Sequence, residues 1–219
     1  MNAAYLLNES LTALRLTDTV AAALDFMAEQ EVTVLPVVDK HSLHNYARAV
    51  NLLHVQGDKK LEEVIPFNTH APRIYEHQHL YEMVPVFAAG DLQVLAVFNR
   101  NEEFIGIVDQ KEIHRQLAQS LTYKGIGAIL VLMVEPKDFA PSHIHRLVEE
   151  NGAKVLGMML NTTEAGNLQV NLKLNTTVVS GIVASLNRFG FRVTDCYLAE
   201  DYNKEDNREF DTVLRFFDL

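Results

Sequence analysis

The chain repeats itself at a spacing of sixty residues, and that repeat limits its fold more than any other feature. Shifted by sixty positions, residues 20–39 fall on residues 80–99 without a gap. Val20, Ala23, Leu24 and Met27 meet Leu80, Met83, Val84 and Phe87. The spacing i, i+3, i+4, i+7 predicts an amphipathic helix with one apolar stripe in each segment. Residues 32–38 then meet 92–98. Both runs are apolar on both faces and rich in β-branched residues, as buried strands are. Identities are few: Ala28 with Ala88, Val34 with Val94, Leu35 with Leu95, Val37 with Val97. What repeats is the pattern of burial, which is what an internal duplication preserves. Asp18 or Thr17 is the expected cap of the first helix. Pro36 lacks a backbone donor, so its strand should lie near an edge or pair on one side only there. Pro85 sits inside the second helical pattern and should kink or shorten it, at a cost of about 3 kcal/mol.

The rest of the first half follows the same plan. Residues 8–16 lead in, extended near 14–16. Residues 41–45 form a polar turn, 46–50 return as a strand, and Asn51 caps a short helix through Leu53. Gln56-Gly57-Asp58 breaks it, and residues 61–65 form one more turn before Pro66. The second repeat opens near 72–75, turns at 99–103, returns over 104–108 and ends in a helix over 110–120. A helix, a strand closing on Pro36-Val37-Val38-Asp39 and a short hairpin resemble the cystathionine-β-synthase (CBS) motif. Two copies in tandem, about 11–58 and 69–120, resemble a Bateman module.

That resemblance implies a ligand site. In CBS motifs that bind adenine nucleotides, the return strand ends in Gly, two apolar residues, Thr or Ser, two more residues, then Asp or Asn. The hydroxyl lies near phosphate, and the carboxylate accepts two hydrogen bonds from the ribose diol. The second repeat reads Gly106-Ile107-Val108-Asp109-Gln110-Lys111-Glu112, with Glu112 as the ribose grip and Lys111 offsetting the charge of Asp109 toward phosphate. The first repeat is set in register as Arg48-Ala49-Val50-Asn51-Leu52-Leu53-His54, with Arg48 at the glycine position and suited to phosphate. The resemblance makes Leu35, Pro36, Arg48, Asn51, Leu95, Gly106, Asp109, Lys111 and Glu112 the candidate nucleotide-binding residues. The ligand it implies is AMP, ADP, ATP or S-adenosylmethionine, with no cofactor required.

Residues 123–127 mark a boundary, dividing the chain into 1–124 and 125–219. Beyond it the pattern predicts a strand over 128–134 and a helix over 141–151, with Pro141 in its first turn and Gly152 past its end. A strand over 154–160 and a turn over 162–167 follow. An alternating strand spans 168–174. A helix over 177–189 is capped by Asn175 or Thr176 and stopped by Gly190, and a strand runs over 192–198. The order βαββαβ is the split-βαβ, ferredoxin-like arrangement. With Gly125-Ile126-Gly127-Ala128 at its head it resembles an ACT domain, a regulatory module that often pairs and binds amino acids at the first strand-to-helix turn. The matching positions are Phe139 and Ala140. Phe139 alternatively staples the helix start. Phe210, Val213, Leu214 and Phe217 follow a helical period and predict a docked terminal helix. The fold class is therefore α/β (α+β): two CBS repeats, then an ACT-like domain. That combination resembles the acetoin-utilisation regulatory proteins of bacteria.

Charge narrows the partners. The net charge is −10, divided as −6 through Lys124 and −4 after it. Nucleic acid requires a field that attracts phosphate over a broad surface, and neither half supplies one. One cysteine, Cys196, rules out an internal disulfide framework and fits a reducing compartment. The opening residues lack a basic region and a long apolar core, and no apolar run reaches about 20 residues, so a cytoplasmic protein is expected. The enzyme motifs G-x-S-x-G, H-E-x-x-H, CxxC and the Walker loop do not occur. His77-Gln78-His79 and His143-Ile144-His145 resemble metal pairs, but His143 and His145 diverge at i and i+2 of a helix, and His77 and His79, at a helix start, have no acid or cysteine partner, so no metal site is expected. Two functional readings follow. One is a non-catalytic, homodimeric ligand sensor, with a nucleotide between the CBS repeats and an amino acid at the ACT interface. The other is an interaction scaffold with degenerate pockets that regulates a protein partner.

Overall fold

The computed structural model describes residues 1–198, and the terminal helix expected around Phe210–217 lies outside them. The chain forms two compact units, Met1–Leu117 and the residues from Ala118 onward. Each has its own apolar core, running from Ala3 to Ile113 in the first and from Ala128 to Val193 in the second. Among the described residues, no helix is long and apolar enough to cross a membrane.

The first unit contains β1 (Leu14–Arg15), α1 (Val20–Glu29), β2 (Val34–Asp39), β3 (Ser42–Arg48), α2 (Ala49–Leu52) and α3 (Leu61–Val64). The second copy supplies β4 (Arg73–Tyr75), α4 (Leu80–Gly90), β5 (Val94–Phe98), β6 (Phe104–Asp109) and α5 (Gln110–Gln119). Each copy builds one three-stranded sheet, β1-β2-β3 or β4-β5-β6. In each, the first pairing is parallel and the second antiparallel. Both hairpins carry a bulge, between Val37 and Val38 and between Val97 and Phe98. Since a one-residue slip turns every side chain to the opposite face, a shared bulge marks a shared register.

The helices obey the expected period with a narrower buried stripe. Val20, Ala23 and Met27 are buried, as are Leu80, Met83 and Phe87, but Val84 is 41% exposed. The cap of α1 is Thr19 rather than Thr17 or Asp18. Its Oγ1 accepts from the Ala22 amide at 3.2 Å, while Asp18 accepts from the Arg15 amide at 2.7 Å. Pro85 does not shorten its helix, since α4 has 11 residues against 10 in α1. Pro85 is exposed, so the carbonyl it deprives of a donor lies on the side where water can serve. Pro36 pairs on one side: it meets Tyr46 of β3, whereas β1 reaches only Val37 and Val38.

The ladders correct the sequence alignment of the return strands. Val34 pairs with Arg48, and its equivalent Val94 pairs with Asp109. Val37 pairs with Asn45, and Val97 with Gly106. Arg48 is therefore the counterpart of Asp109, not of Gly106, and Asn45 takes the glycine position. Asn51 then corresponds to Glu112, the ribose position, which displaces His54 from it. Hairpin length supplies one of these three positions. Val38 pairs with Leu43, but Phe98 pairs with Phe104, so the second hairpin is one residue longer. Asn51 also does not cap a helix, because it lies inside α2, whose N-cap is Arg48.

The second unit adds α6 (Leu121–Lys124), β7 (Ile129–Val134), α7 (Pro141–Glu150), β8 (Val155–Thr162), β9 (Leu168–Leu174), α8 (Ser180–Arg188) and β10 (Arg192–Tyr197). The sheet order is β10-β7-β9-β8, with every pairing antiparallel. With β7-α7-β8-β9-α8-β10 in sequence, this is the ferredoxin-like arrangement. Helix α8 starts later than its period implies, and neither Asn175 nor Thr176 caps it. The Asn175 carboxamide oxygen accepts from the Lys154 amide at 2.7 Å, and Thr176 Oγ1 from the Val178 amide at 3.1 Å. Local turns thus consume the side chains that would have capped the helix.

Candidate functional site

Two clefts of the first unit are each made by the return strand of one repeat and the end of the long helix of the other. The first has a volume of about 320 Å³ and takes Asn45, Arg48 and Asn51 from the first repeat, Asn68 from the connection, and Gly90 and Leu92 from the second repeat. Its apolar wall includes Leu52, Val55 and Ile65. The second, of about 250 Å³, takes Asp109, Gln110 and Lys111 from one repeat, Gln30, Glu31 and Val32 from the other, and Asn8 and Leu11 from the lead-in.

Sequence and fold place the polar groups of the first cleft step by step. Residue 48 ends β3 and caps α2, so its side chain leaves the sheet edge toward the facing repeat. There its guanidinium donates to the carbonyls of Gly90 at 2.8 Å and Asp91 at 3.2 Å, the end of α4. Unpaired carbonyls at a helix C-terminus attract a cation, and the Asp91 carboxylate lies 3.9 Å away. Among the described residues, Arg48 is the one charged side chain lining this cleft. The carboxamide of Asn51, exposed on α2, has no partner among the described residues. Tyr46, on the same strand, is buried: its hydroxyl donates to the Pro72 carbonyl at 2.7 Å and accepts from the Ala96 amide at 3.0 Å. Burial pushes this phenol well above its ordinary pKa, since phenolate would lose its water.

The second cleft has the opposite balance. Asp109 caps α5, its Oδ1 accepting from the Glu112 amide at 2.7 Å. Its Oδ2 accepts from the Asn8 carboxamide at 2.5 Å. Lys111 pairs with Glu31 across the rim at 3.7 Å. Two carboxylates and one ammonium line the cleft, so the site is anionic where the first is cationic. Gln93 bridges the repeats beside it, accepting from the Thr33 amide and hydroxyl at 2.8 and 3.0 Å.

The structure therefore brings Arg48 with Asn51, and Asp109 with Lys111, into two separate clefts. Glu112 is turned to Arg115 and to Gln116, whose amide it meets at 2.6 Å. Leu35 and Leu95 are fully buried in the central strands and Pro36 beside Leu35, so these support the clefts from behind. Gly106 has φ of +156°, and a Cβ there would lie 3.1 Å from Leu7. Phe139 and Ala140 pack on the second core, which includes Ile144, as a staple at the start of α7 would. Asn8 and Asn68 were not singled out by sequence. Their signal was present, since both stand at the sixty-residue offset. Each accepts from an amide two residues on, Ser10 at 2.9 Å and His70 at 3.0 Å. The histidine pairs have other roles: His79 caps α4, and His143 lies edge-on to Phe189 and Phe191. Among the described residues no group of three His, Cys, Asp or Glu side chains is placed to hold a metal.

No protein-family model matches the chain, and no curated protein matches it by sequence. Solved structures do. A CBS domain pair/ACT domain protein from Thermotoga maritima superimposes with a TM-score of 0.50 at 15% identity, covering 55% of this chain and 99% of that one. The fold is that of a CBS domain pair. Protein MJ1004 from Methanocaldococcus jannaschii gives 0.50 at 19% identity, over 56% of this chain and 62% of its own length. The share of the chain covered, 55%, is about the length of the first unit, which carries the internal repeat.

Proposed function

We propose that this protein is a non-catalytic, ligand-sensing regulator whose CBS pair binds an adenine nucleotide or a related metabolite in the first cleft. The first cleft itself carries this proposal. Its volume is at the lower end of small-molecule sites. Apolar side chains supply a wall for a base. Arg48 supplies a planar, permanently charged fork that matches phosphate. Asn51, at the ribose position once the register is corrected, has a free carboxamide able to donate to and accept from a diol. Phosphate is disfavoured in the second cleft by Glu31 and Asp109. Phe139 and Ala140 are engaged with the core of the second unit, so the CBS cleft is the better-supported site of the two. The βαββαβ unit is an ACT-like regulatory partner on the strength of its topology, and the combination resembles the acetoin-utilisation regulatory group.

A thermal-shift panel of AMP, ADP, ATP, S-adenosylmethionine and amino acids tests this. A ligand at one hundred times its dissociation constant adds about 2.7 kcal/mol. An adenine compound is expected to shift the wild type and to shift Arg48→Ala and Asn51→Ala by markedly less. No shift from any adenine compound at millimolar concentration refutes the proposal. The scaffold reading has one observation in its favour: Arg48 and Asp109, at the two motif positions, both already have partners inside the protein. Under it, both variants fold and none of these metabolites binds.

A further inference from the structure

The two clefts are internal controls for each other, because the repeat places equivalent residues in both. Asn68, sixty residues after Asn8, lines the first cleft as Asn8 lines the second, though its amide docks on His44 and not on Tyr46, the counterpart of Ile107, and Arg48 stands where Asp109 stands. The equivalent asparagines behave differently. The Asn68 amide donates to the His44 carbonyl at 3.0 Å, and its carboxamide nitrogen has no partner among the described residues. Arg48 has turned away to α4, so the mouth stays open. In the second cleft every polar atom of the Asn8–Asp109 pair is used. The Asn8 amide donates to the Ile107 carbonyl at 2.8 Å, its carboxamide oxygen accepts from Ser10, and its carboxamide nitrogen donates to Asp109 Oδ2. Asp109 Oδ1 is held by the Glu112 amide. A charge-assisted bond of 2.5 Å to a carboxylate is stronger than a neutral one, and a ligand would have to break it to reach Asp109. Leu7, one residue before, lies against Gly106 and seats the segment on β6.

We infer that Asn8 is a built-in occupant of the second cleft, so that each CBS pair takes one anionic ligand, in the first cleft. This rests on the nucleotide-binding role proposed for the first cleft. Asn8 acts as the specificity-determining residue. It supplies from the chain itself the donor that the carboxylate at the motif position needs, and so closes the site against a nucleotide.

Isothermal titration with AMP tests the inference. Wild type is expected to bind one AMP per chain, and Asn51→Ala to weaken that site about tenfold. The double variant Asn8→Ala/Asp109→Thr removes the plug and the repelling charge while keeping an oxygen to cap α5. It is expected to bind two. A double variant that still binds one overturns the role of Asn8 and leaves the first-cleft proposal standing. Two AMP per wild-type chain overturns the closed second cleft. No binding to wild type overturns both proposals together. Hydrogen exchange on the wild type gives a second readout that needs no variant. Saturating AMP is expected to leave the Asn8 amide, bonded to Ile107, as protected as before, and loss of that protection overturns the inference.

Discussion

Replacing Tyr46 by Phe isolates a buried hydroxyl that ties the two repeats together. The ring is 8% exposed, and its counterpart in the other repeat, Ile107, is fully buried and apolar. The position therefore needs volume in both repeats, and the hydroxyl is what the first repeat adds. Tyr46→Phe keeps the ring and removes two hydrogen bonds, to the Pro72 carbonyl and from the Ala96 amide. Ala96 is fully buried, so its amide stays unpaired, whereas Pro72 borders the open cleft and its carbonyl can be hydrated. A buried unpaired group costs about 1–3 kcal/mol, and the Pro72 bond adds up to about 1 kcal/mol, for a loss of about 1–4 kcal/mol. Urea unfolding followed by circular dichroism should show a midpoint lower by about 0.5–2 M. The same substitution has a signature in pH. The phenol's pKa is raised by burial in the folded state, so its contribution is fully present below the ordinary tyrosine pKa. Above about pH 10 it falls by about 1.4 kcal/mol per pH unit, because the unfolded tyrosine ionises while the folded one holds its proton. The difference in stability between wild type and Tyr46→Phe should therefore shrink as pH rises beyond 10. A loss under about 0.5 kcal/mol at neutral pH, or a difference independent of pH, refutes the reasoning.

Two further outcomes are expected. Gly106→Ala should destabilise the first unit by about 1–3 kcal/mol, because φ of +156° strains any Cβ and Leu7 lies 3.1 Å away, and unchanged urea stability would contradict this. We also propose that the chain is a homodimer, as the resemblance to CBS pairs and ACT domains implies. Light scattering at micromolar concentration should give about twice the 24.7 kDa of one chain, and a monomer there would contradict it.

Much of this architecture is written in local patterns. The sixty-residue repeat, the order βαββαβ after it, and the one-sided pairing at Pro36 all follow from periods of 3.6 and 2 and from a missing donor, which short stretches carry by themselves. Caps were less legible. Thr17, Asp18 and Thr19 all have side chains able to cap, and the choice of Thr19 depended on Asp18 being taken by Arg15.

The sequence by itself determined that two copies of one unit exist and which faces of their helices and strands are apolar. Tertiary structure alone decided what lies opposite what. The second hairpin is longer by one residue, a difference invisible to a gapless alignment, and the ladders make Arg48 the counterpart of Asp109, three positions on from the glycine. The partners that define the clefts are distant in the chain: Arg48 with Gly90 and Asp91, Asn8 with Asp109. Periodicity constrains neighbours within a turn or a strand. It carries no information about a hydrogen bond that closes over 101 residues, and such bonds hold Arg48 on the end of α4 in one cleft and Asn8 on Asp109 in the other.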